Sequence, residues 1–297
     1  MVNQEQMDLI QAGKGFIAAL DQSGGSTPQA LDAYGINSDS FASDAEMYDL
    51  IHAMRARIAQ SPNFTGKKVI GAILFEDTME RKFDGKQAPT YLWQERGVVP
   101  FLKVDKGLLN RADGVQPMKP IPDLMTLIVR AKNLGVFGTK MRSVIHAANQ
   151  NGISKIVDQQ FKIGAQITAH GLIPILEPEV TITAFDKEEA EIMLLAALLE
   201  YLDKLLPNQK VMLKLTLPEV ANHYHELCQH PRVLSVVALS GGYTRSQATR
   251  RLAKNTSVIA SFSRALTEGL TANQSNTEFD RALTLAIDGI FEASISG

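Results

Sequence analysis

Short apolar runs alternate with amphipathic stretches along nearly the whole chain, and the apolar runs number eight. They fall at residues 15–21, 69–75, 98–104, 135–141, 172–177, 210–216, 234–240 and 257–262. Strict strand–helix alternation predicts a parallel sheet. Strands that are apolar throughout fit a sheet covered on both faces. An open, doubly wound sheet would call for a phosphate-binding glycine turn after the first strand. The turn Asp21-Gln22-Ser23-Gly24-Gly25-Ser26 lacks the dinucleotide spacing. No linker, low-complexity segment or charged tail divides the chain. The expectation is a (β/α)8 TIM barrel, an eight-stranded parallel barrel ringed by helices, forming a single domain over residues 1–297.

Several helices announce their starts. Ser43 with Glu46, Asp186 with Glu189, and Thr244 with Gln247 have capping-box spacing ahead of helical patterns at 47–58, 192–206 and 248–254. Pro120 and Pro122 precede a helix at 123–133, and Gly171 ends another at 154–170. Composition narrows the partners. A net charge of −2 gives no global attraction to nucleic acid or to an anionic membrane, so any anion binding must be local. The single Cys228 excludes an internal disulfide framework and a multi-cysteine zinc site. No run approaches the length of a membrane span, and residues 1–11 lack the apolar core of a signal peptide. A cytoplasmic protein is expected.

Charges sit where core strands have no ordinary use for them. The run Val211-Met212-Leu213-Lys214-Leu215 carries a lysine in its last third; Gly138-Thr139-Lys140-Met141-Arg142 and Ile175-Leu176-Glu177-Pro178-Glu179 repeat the design. Buried charge is expensive unless paired, so these runs point to one interior site built from several strands. Two lysines beside a carboxylate suggest amine chemistry in which one lysine is the nucleophile.

Barrel strands alternate inward and outward residues, with function at their C-terminal ends. One parity set contains Met212, Lys214 and Thr216, with Leu213, Leu215 and Leu217 facing the helices. The other inward sets are Gly138, Lys140 and Arg142; Phe101, Lys103 and Asp105; Ile17, Ala19 and Asp21; and Ile173, Ile175, Glu177 and Glu179. Each becomes polar at its C-terminal end. After the last two strands come Ser240-Gly241-Gly242 and Ser261-Phe262-Ser263-Arg264, where glycine N–H groups and a guanidinium suit a phosphate. A second anion is expected at Ser23, Ser26 and Lys103. His223, His225, Cys228 and His230 have metal-like spacing but fall in a helical stretch after Pro218, away from the strand ends, so no metal site is assigned to them.

Together these residues resemble a class I fructose-1,6-bisphosphate aldolase of the short bacterial kind. The landmarks run from Gly13-Lys14-Gly15 and Ala19-Leu20-Asp21-Gln22-Ser23 through Leu74-Phe75-Glu76 and Lys103-Val104-Asp105-Lys106-Gly107. Lys140-Met141-Arg142, Asn151-Gly152, Glu177-Pro178-Glu179, Leu213-Lys214, Ser240-Gly241-Gly242 and Ser261-Phe262-Ser263-Arg264-Ala265-Leu266 complete them. The resemblance implies a Schiff-base lysine at Lys214, an acid/base carboxylate at Glu177 assisted by Glu179, and Asp21 near the scissile bond. It implies that Lys140 and Arg142 hold the substrate and adjust the charge around Lys214. Lys103, Ser23 and Ser26 correspond to the far phosphate of the sugar; Ser240, Gly241, Ser261 and Arg264, beside Gly242, correspond to the near one. It further implies reversible cleavage of fructose 1,6-bisphosphate to dihydroxyacetone phosphate and glyceraldehyde 3-phosphate, with a sugar phosphate as partner and neither cofactor nor metal.

The chain departs from the family pattern at Gln22, where a glutamate is expected, and at Gln29 and Ala30, where a basic pair is expected. Leu215 replaces a proline, Ser263 replaces a glycine, and the long tail with a terminal tyrosine found in the vertebrate type is absent. Two other functions fit the residues: another Schiff-base aldolase acting on a different phosphorylated sugar, and a non-catalytic barrel that binds sugar phosphates. The choice of Glu177 or Asp21 as the base at cleavage stays open, as does the oligomeric state.

Overall fold

The computed structural model describes residues 3–297. Eight parallel strands follow one another in chain order around the sheet: β1 Phe16–Leu20, β2 Val69–Leu74, β3 Val99–Lys103, β4 Gly138–Ile145, β5 Ile173–Val180, β6 Val211–Thr216, β7 Val233–Leu239 and β8 Val258–Ala260. The circle closes loosely. Among the described residues β8 and β1 form no strand ladder; the backbone N–H of Ala19 donates to the Phe262 carbonyl at 3.0 Å across the seam. The barrel foreseen from the alternation is present, and each expected strand is found within a few residues of its place. The largest difference is in β4, which begins at Gly138 and runs on to Ile145. It is prolonged because Val115–Gln116, from the excursion after β3, pairs antiparallel with Val144 and Ile145, while β5 accompanies it as far as Val180. This extension lifts Arg142 and Glu179 toward the barrel mouth.

The in–out alternation holds throughout. Ile17, Ala19, Ile73, Phe101, Ile173, Ile175, Met212 and Val237 fill the barrel interior. Leu213, Leu215 and Leu217 belong to the second apolar layer, between strands and helices. Phe101 occupies the centre because its neighbours have no side chains. A Cβ on Gly71 or on Gly138 would lie 3.0 Å from its ring, and one on Gly138 would also come within 2.3 Å of the Ile173 carbonyl.

The helix Gln4–Ala12, capped by Asn3, contributes Ile10 to that interior cluster, with Met7 and Leu9 packed against it. Its few apolar residues were not legible as a helix from sequence, since only the barrel gives them a partner. The caps differ in detail from expectation. Thr244 and Gln247 form a complete box ahead of Arg245–Leu252. Ser43 caps Asp44–Gln60, but the Glu46 carboxylate accepts from the Ala42 N–H instead of returning to Ser43. Asp186 does not cap Lys187–Asp203, because its carboxylate accepts from the Ala148 N–H at 2.8 Å. Among the described residues no helix is long and apolar enough to cross a membrane.

Candidate active site

Five strand ends converge on a chain of alternating charges. Lys140, near the middle of β4, lies 2.8 Å from Asp21 Oδ2, 3.1 Å from Glu177 Oε2 and 3.7 Å from Asp105 Oδ2. The other oxygen of Glu177 lies 3.1 Å from Lys214 Nζ on β6. At the opposite end Lys103 Nζ lies 2.8 Å from Asp105 Oδ1 and donates to the Asp105 carbonyl at 2.6 Å. Asp21, Asp105, Lys140, Glu177 and Lys214 are all buried. Glu177 is therefore the carboxylate shared by the two lysines, one oxygen to each.

Burial alone would raise the Asp21 carboxyl, but Lys140 and then Lys214 outweigh it and hold the group well below the usual carboxylate range. Burial would likewise lower Lys140, yet Asp21, Glu177 and Asp105 keep its ammonium well above the ordinary lysine range. These three carboxylates thus favour the charged form of Lys140. Lys103 moves the other way: burial pulls it down, and the pull of Asp105 does not fully restore it. Asp105 was legible as inward-facing from its parity with Phe101 and Lys103, but its place as a third carboxylate around Lys140 was not. Glu177 Oε2 and Asp105 Oδ2 are buried without an aligned hydrogen-bond donor, so their nearest answer is the charge of Lys140.

A second group of the expected residues lies where β7 and β8 end. Gly241 and Gly242 adopt φ 61° and 121°, a conformation that β-carbons disfavour. Side chains there would also collide with Ile182, whose Cγ2 lies 2.7 Å from a Cβ built on Gly241. The Ser240 and Ser261 side chains are buried beside this turn, and Ser261 Oγ has no partner. Arg264 Nη2 reaches to 3.6 Å from a Cβ built on Gly242, and among the described residues the Arg264 guanidinium has no carboxylate partner. A guanidinium without a carboxylate partner beside a glycine turn leaves a local positive charge at this end of the barrel.

The remaining expected residues are less assembled. Ser26 Oγ accepts from the Ser23 N–H at 3.0 Å and donates to the Ser23 carbonyl at 2.9 Å, so this exposed turn closes on itself. Arg142 and Glu179 pair with each other at 2.5 Å on the extension of β4 and β5. Burial would lower the Arg142 guanidinium, but Glu179 outweighs it and the group rises above its ordinary value. Arg142 thus answers Glu179 at the mouth, and the side chains paired with the shared Glu177 are Lys140 and Lys214. His223, His225, Cys228 and His230 lie in and beside the helix His225–Gln229 and do not converge on a common point. His223 meets the Tyr224 ring edge-on, His230 Nε2 lies 3.2 Å from Asp203 Oδ1, and Cys228 Sγ donates to the Tyr224 carbonyl.

The chain as a whole is similar to known proteins. The family model for class-I fructose-bisphosphate aldolase matches residues 2–223. A curated relative from Synechocystis sp., "Fructose-bisphosphate aldolase class 1", is 55% identical over 294 residues, covering 99% of this chain and 98% of its own. Among solved structures, a fructose-bisphosphate aldolase from Plasmodium falciparum, crystallised with TRAP and a small-molecule inhibitor, superposes with a TM-score of 0.75. It is 19% identical, and the match covers 99% of this chain and 94% of that one. A Corynebacterium glutamicum protein superposes at a TM-score of 0.55 with 15% identity, over 98% of this chain and 92% of its own. Those two likenesses speak for the barrel fold. The family match and the 55% identity over nearly the full length establish that the chain belongs to the class I fructose-bisphosphate aldolases.

Proposed function

We propose that this enzyme cleaves fructose 1,6-bisphosphate reversibly to dihydroxyacetone phosphate and glyceraldehyde 3-phosphate through a Schiff base on Lys214. The observation that carries the reading is the shared carboxylate: Glu177 offers one oxygen to Lys214 and the other to Lys140, each at 3.1 Å. The amine of Lys214 attacks the substrate ketone, and the carbinolamine hydroxyl leaves as water with a proton from Glu177. The iminium then accepts the electron pair of the breaking C–C bond, giving an enamine and releasing the aldehyde. Protonation of the enamine carbon and hydrolysis return the ketone product and the free lysine.

Cleavage also requires a base for the hydroxyl proton. Asp21 is held ionised by Lys140 and Lys214, which makes it a weak base and a good hydrogen-bond acceptor. The proton is therefore assigned to Glu177, with Asp21 orienting the hydroxyl. Lys140, charged throughout, balances the negative charge that develops on the cleaved side.

The phosphate beside the ketone is assigned to the cradle of Ser240, Gly241, Gly242, Ser261 and Arg264. The far phosphate is assigned to Ser23, Ser26 and Lys103. Since the Ser26 hydroxyl is engaged by the Ser23 backbone and Lys103 is tied to Asp105, that end is the less preorganised of the two.

The test is reduction with borohydride in the presence of dihydroxyacetone phosphate, followed by peptide mass mapping. The adduct is expected on Lys214, and Lys214→Met should abolish it. An adduct on Lys140 would reverse the assignment of the two lysines, and no adduct at all would remove the Schiff-base mechanism.

A further inference from the structure

Arg55 takes no part in this chemistry, yet it is the largest fully buried side chain among the described residues. It projects from the helix Asp44–Gln60 behind the exit of β1. No carboxylate pairs with it among the described residues. Nη1 donates to Thr78 Oγ1 at 2.8 Å, Nη2 donates to the Gln22 carbonyl at 2.5 Å and to Gln22 Oε1 at 3.3 Å, and Nε is buried without a partner. Burial draws the guanidinium down to about 10, still far above neutrality, so it stays charged. Asp21 and Asp77 act on it only at longer range, and a buried cation whose hydrogen bonds all go to neutral acceptors is a poor way to fill a core, since an apolar side chain of similar volume would cost less.

Its partners lie at the weakest point of the barrel. Gln22 follows Asp21 directly, and its Nε2 donates to Ser263 Oγ at 2.7 Å. Ser263 precedes Arg264 in the turn after β8. This is the seam where β8 has only three residues and no ladder joins it to β1. Across this seam the backbone contributes the bond from the Ala19 N–H to the Phe262 carbonyl, and the side chains of Arg55, Gln22 and Ser263 add a second bridge between the two strand exits.

We propose that Arg55 is a positioning residue for the anion cradle: through Gln22 it clamps the Ser263–Arg264 turn across the β8–β1 seam and so sets how tightly the enzyme holds the phosphate beside the ketone. The inference rests on the assignment of that phosphate to Arg264, and the experiment separates the two.

Steady-state kinetics with fructose 1,6-bisphosphate are measured for Arg264→Ala, Gln22→Ala, the double variant, and Arg55→Met. Gln22→Ala removes the link to Ser263 while the backbone carbonyl of residue 22 still receives Arg55, so it tests the relay even where Arg55→Met fails to fold. Gln22→Ala is expected to raise KM about tenfold, the scale of one disturbed charge-assisted contact, and to change kcat much less. In the Arg264→Ala background the same change should add less than about twofold, because coupled residues are not additive. A KM rise for Arg264→Ala with none for Gln22→Ala overturns the inference alone, and so do KM effects that simply multiply. No KM effect from Arg264→Ala overturns the phosphate assignment and the inference with it.

Discussion

Replacing Lys140 by methionine is the most informative single perturbation of this site. Methionine fills a similar volume without the charge, so packing survives while the electrostatics do not. Asp21, Asp105 and Glu177, now 2.8–3.7 Å from the ammonium, would share one buried pocket with only Lys103 and Lys214 to answer them. Removing one partner from a buried pair costs roughly 3–5 kcal/mol, and that is the expected loss of stability near pH 8. The loss should shrink in acid.

In the native protein the Asp21 carboxyl is held below its ordinary value of 3.8. Its contribution is therefore complete above that value and is lost as pH falls through the lower, folded one. Without Lys140, burial, the largest influence on Asp21, raises the group with only the two remaining lysines to oppose it. The folded variant then binds a proton more tightly than the unfolded chain, and its stability falls as pH rises through the elevated value. Each extra proton bound by the folded state is worth about 1.4 kcal/mol per pH unit. One proton over about two units would recover roughly 2–3 kcal/mol of the initial loss. Urea unfolding of both proteins at about pH 5 and about pH 8, with matched m-values, reads this directly. A stability difference that is the same at both pH values would refute the reasoning, as would one below about 1 kcal/mol.

Other outcomes follow from the same geometry. Arg264→Ala should raise KM for fructose 1,6-bisphosphate by roughly ten- to a hundredfold, the worth of a charge-assisted hydrogen bond, and much less for an analogue lacking the phosphate beside the ketone. Equal effects on the two substrates would make Arg264 structural. Cleavage assayed after exhaustive EDTA treatment should be unchanged, because the iminium is the electron sink; activity lost and then restored by zinc would overturn the Schiff-base reading. Burial pushes the Cys228 thiol up to about 11, above the ordinary value of 9.0. Near pH 8 its alkylation should then be about a hundredfold slower in the native protein than in the unfolded chain, and should accelerate with pH beyond the point where an ordinary thiol levels off. Equal rates in the two states would mean that the surroundings of this half-buried thiol do not raise it.

Much of the site was legible before any coordinates. Lys214, Lys140 and Glu177 announced themselves as charges in apolar runs, and parity alone placed Asp21 and Lys103 on the same interior. Ser240-Gly241-Gly242 and Arg264 were legible as neighbours because they follow the last two strands, and Arg264 does lie beside Gly242. Asp105 shared the right parity, but nothing local distinguished it from a solvated loop aspartate. The link from Arg55 through Gln22 to Ser263 left no local trace. Arg55 lies in an amphipathic helix, where an arginine is ordinarily read as surface, and its partners are 33 and 23 residues away. The Ser43, Asp186 and Thr244 boxes looked alike in sequence, yet only the Thr244 box closes on both sides. Asp186 found the Ala148 N–H of a neighbouring loop, a competitor that local spacing does not reveal.

The sequence by itself determined the eight strands, their parallel order and the face on which each charge lies. These follow from the strand's period of two and from short-range capping, which act over a few residues. Only the tertiary structure decided which charge answers which: Lys140 with Asp21 and Glu177, Glu177 with Lys214, Arg142 with Glu179, Arg55 with Gln22. Those pairings depend on the stagger of neighbouring strands and on how loosely the barrel closes between β8 and β1. Both are set by the packing of the whole interior around Phe101, and no single segment carries that information.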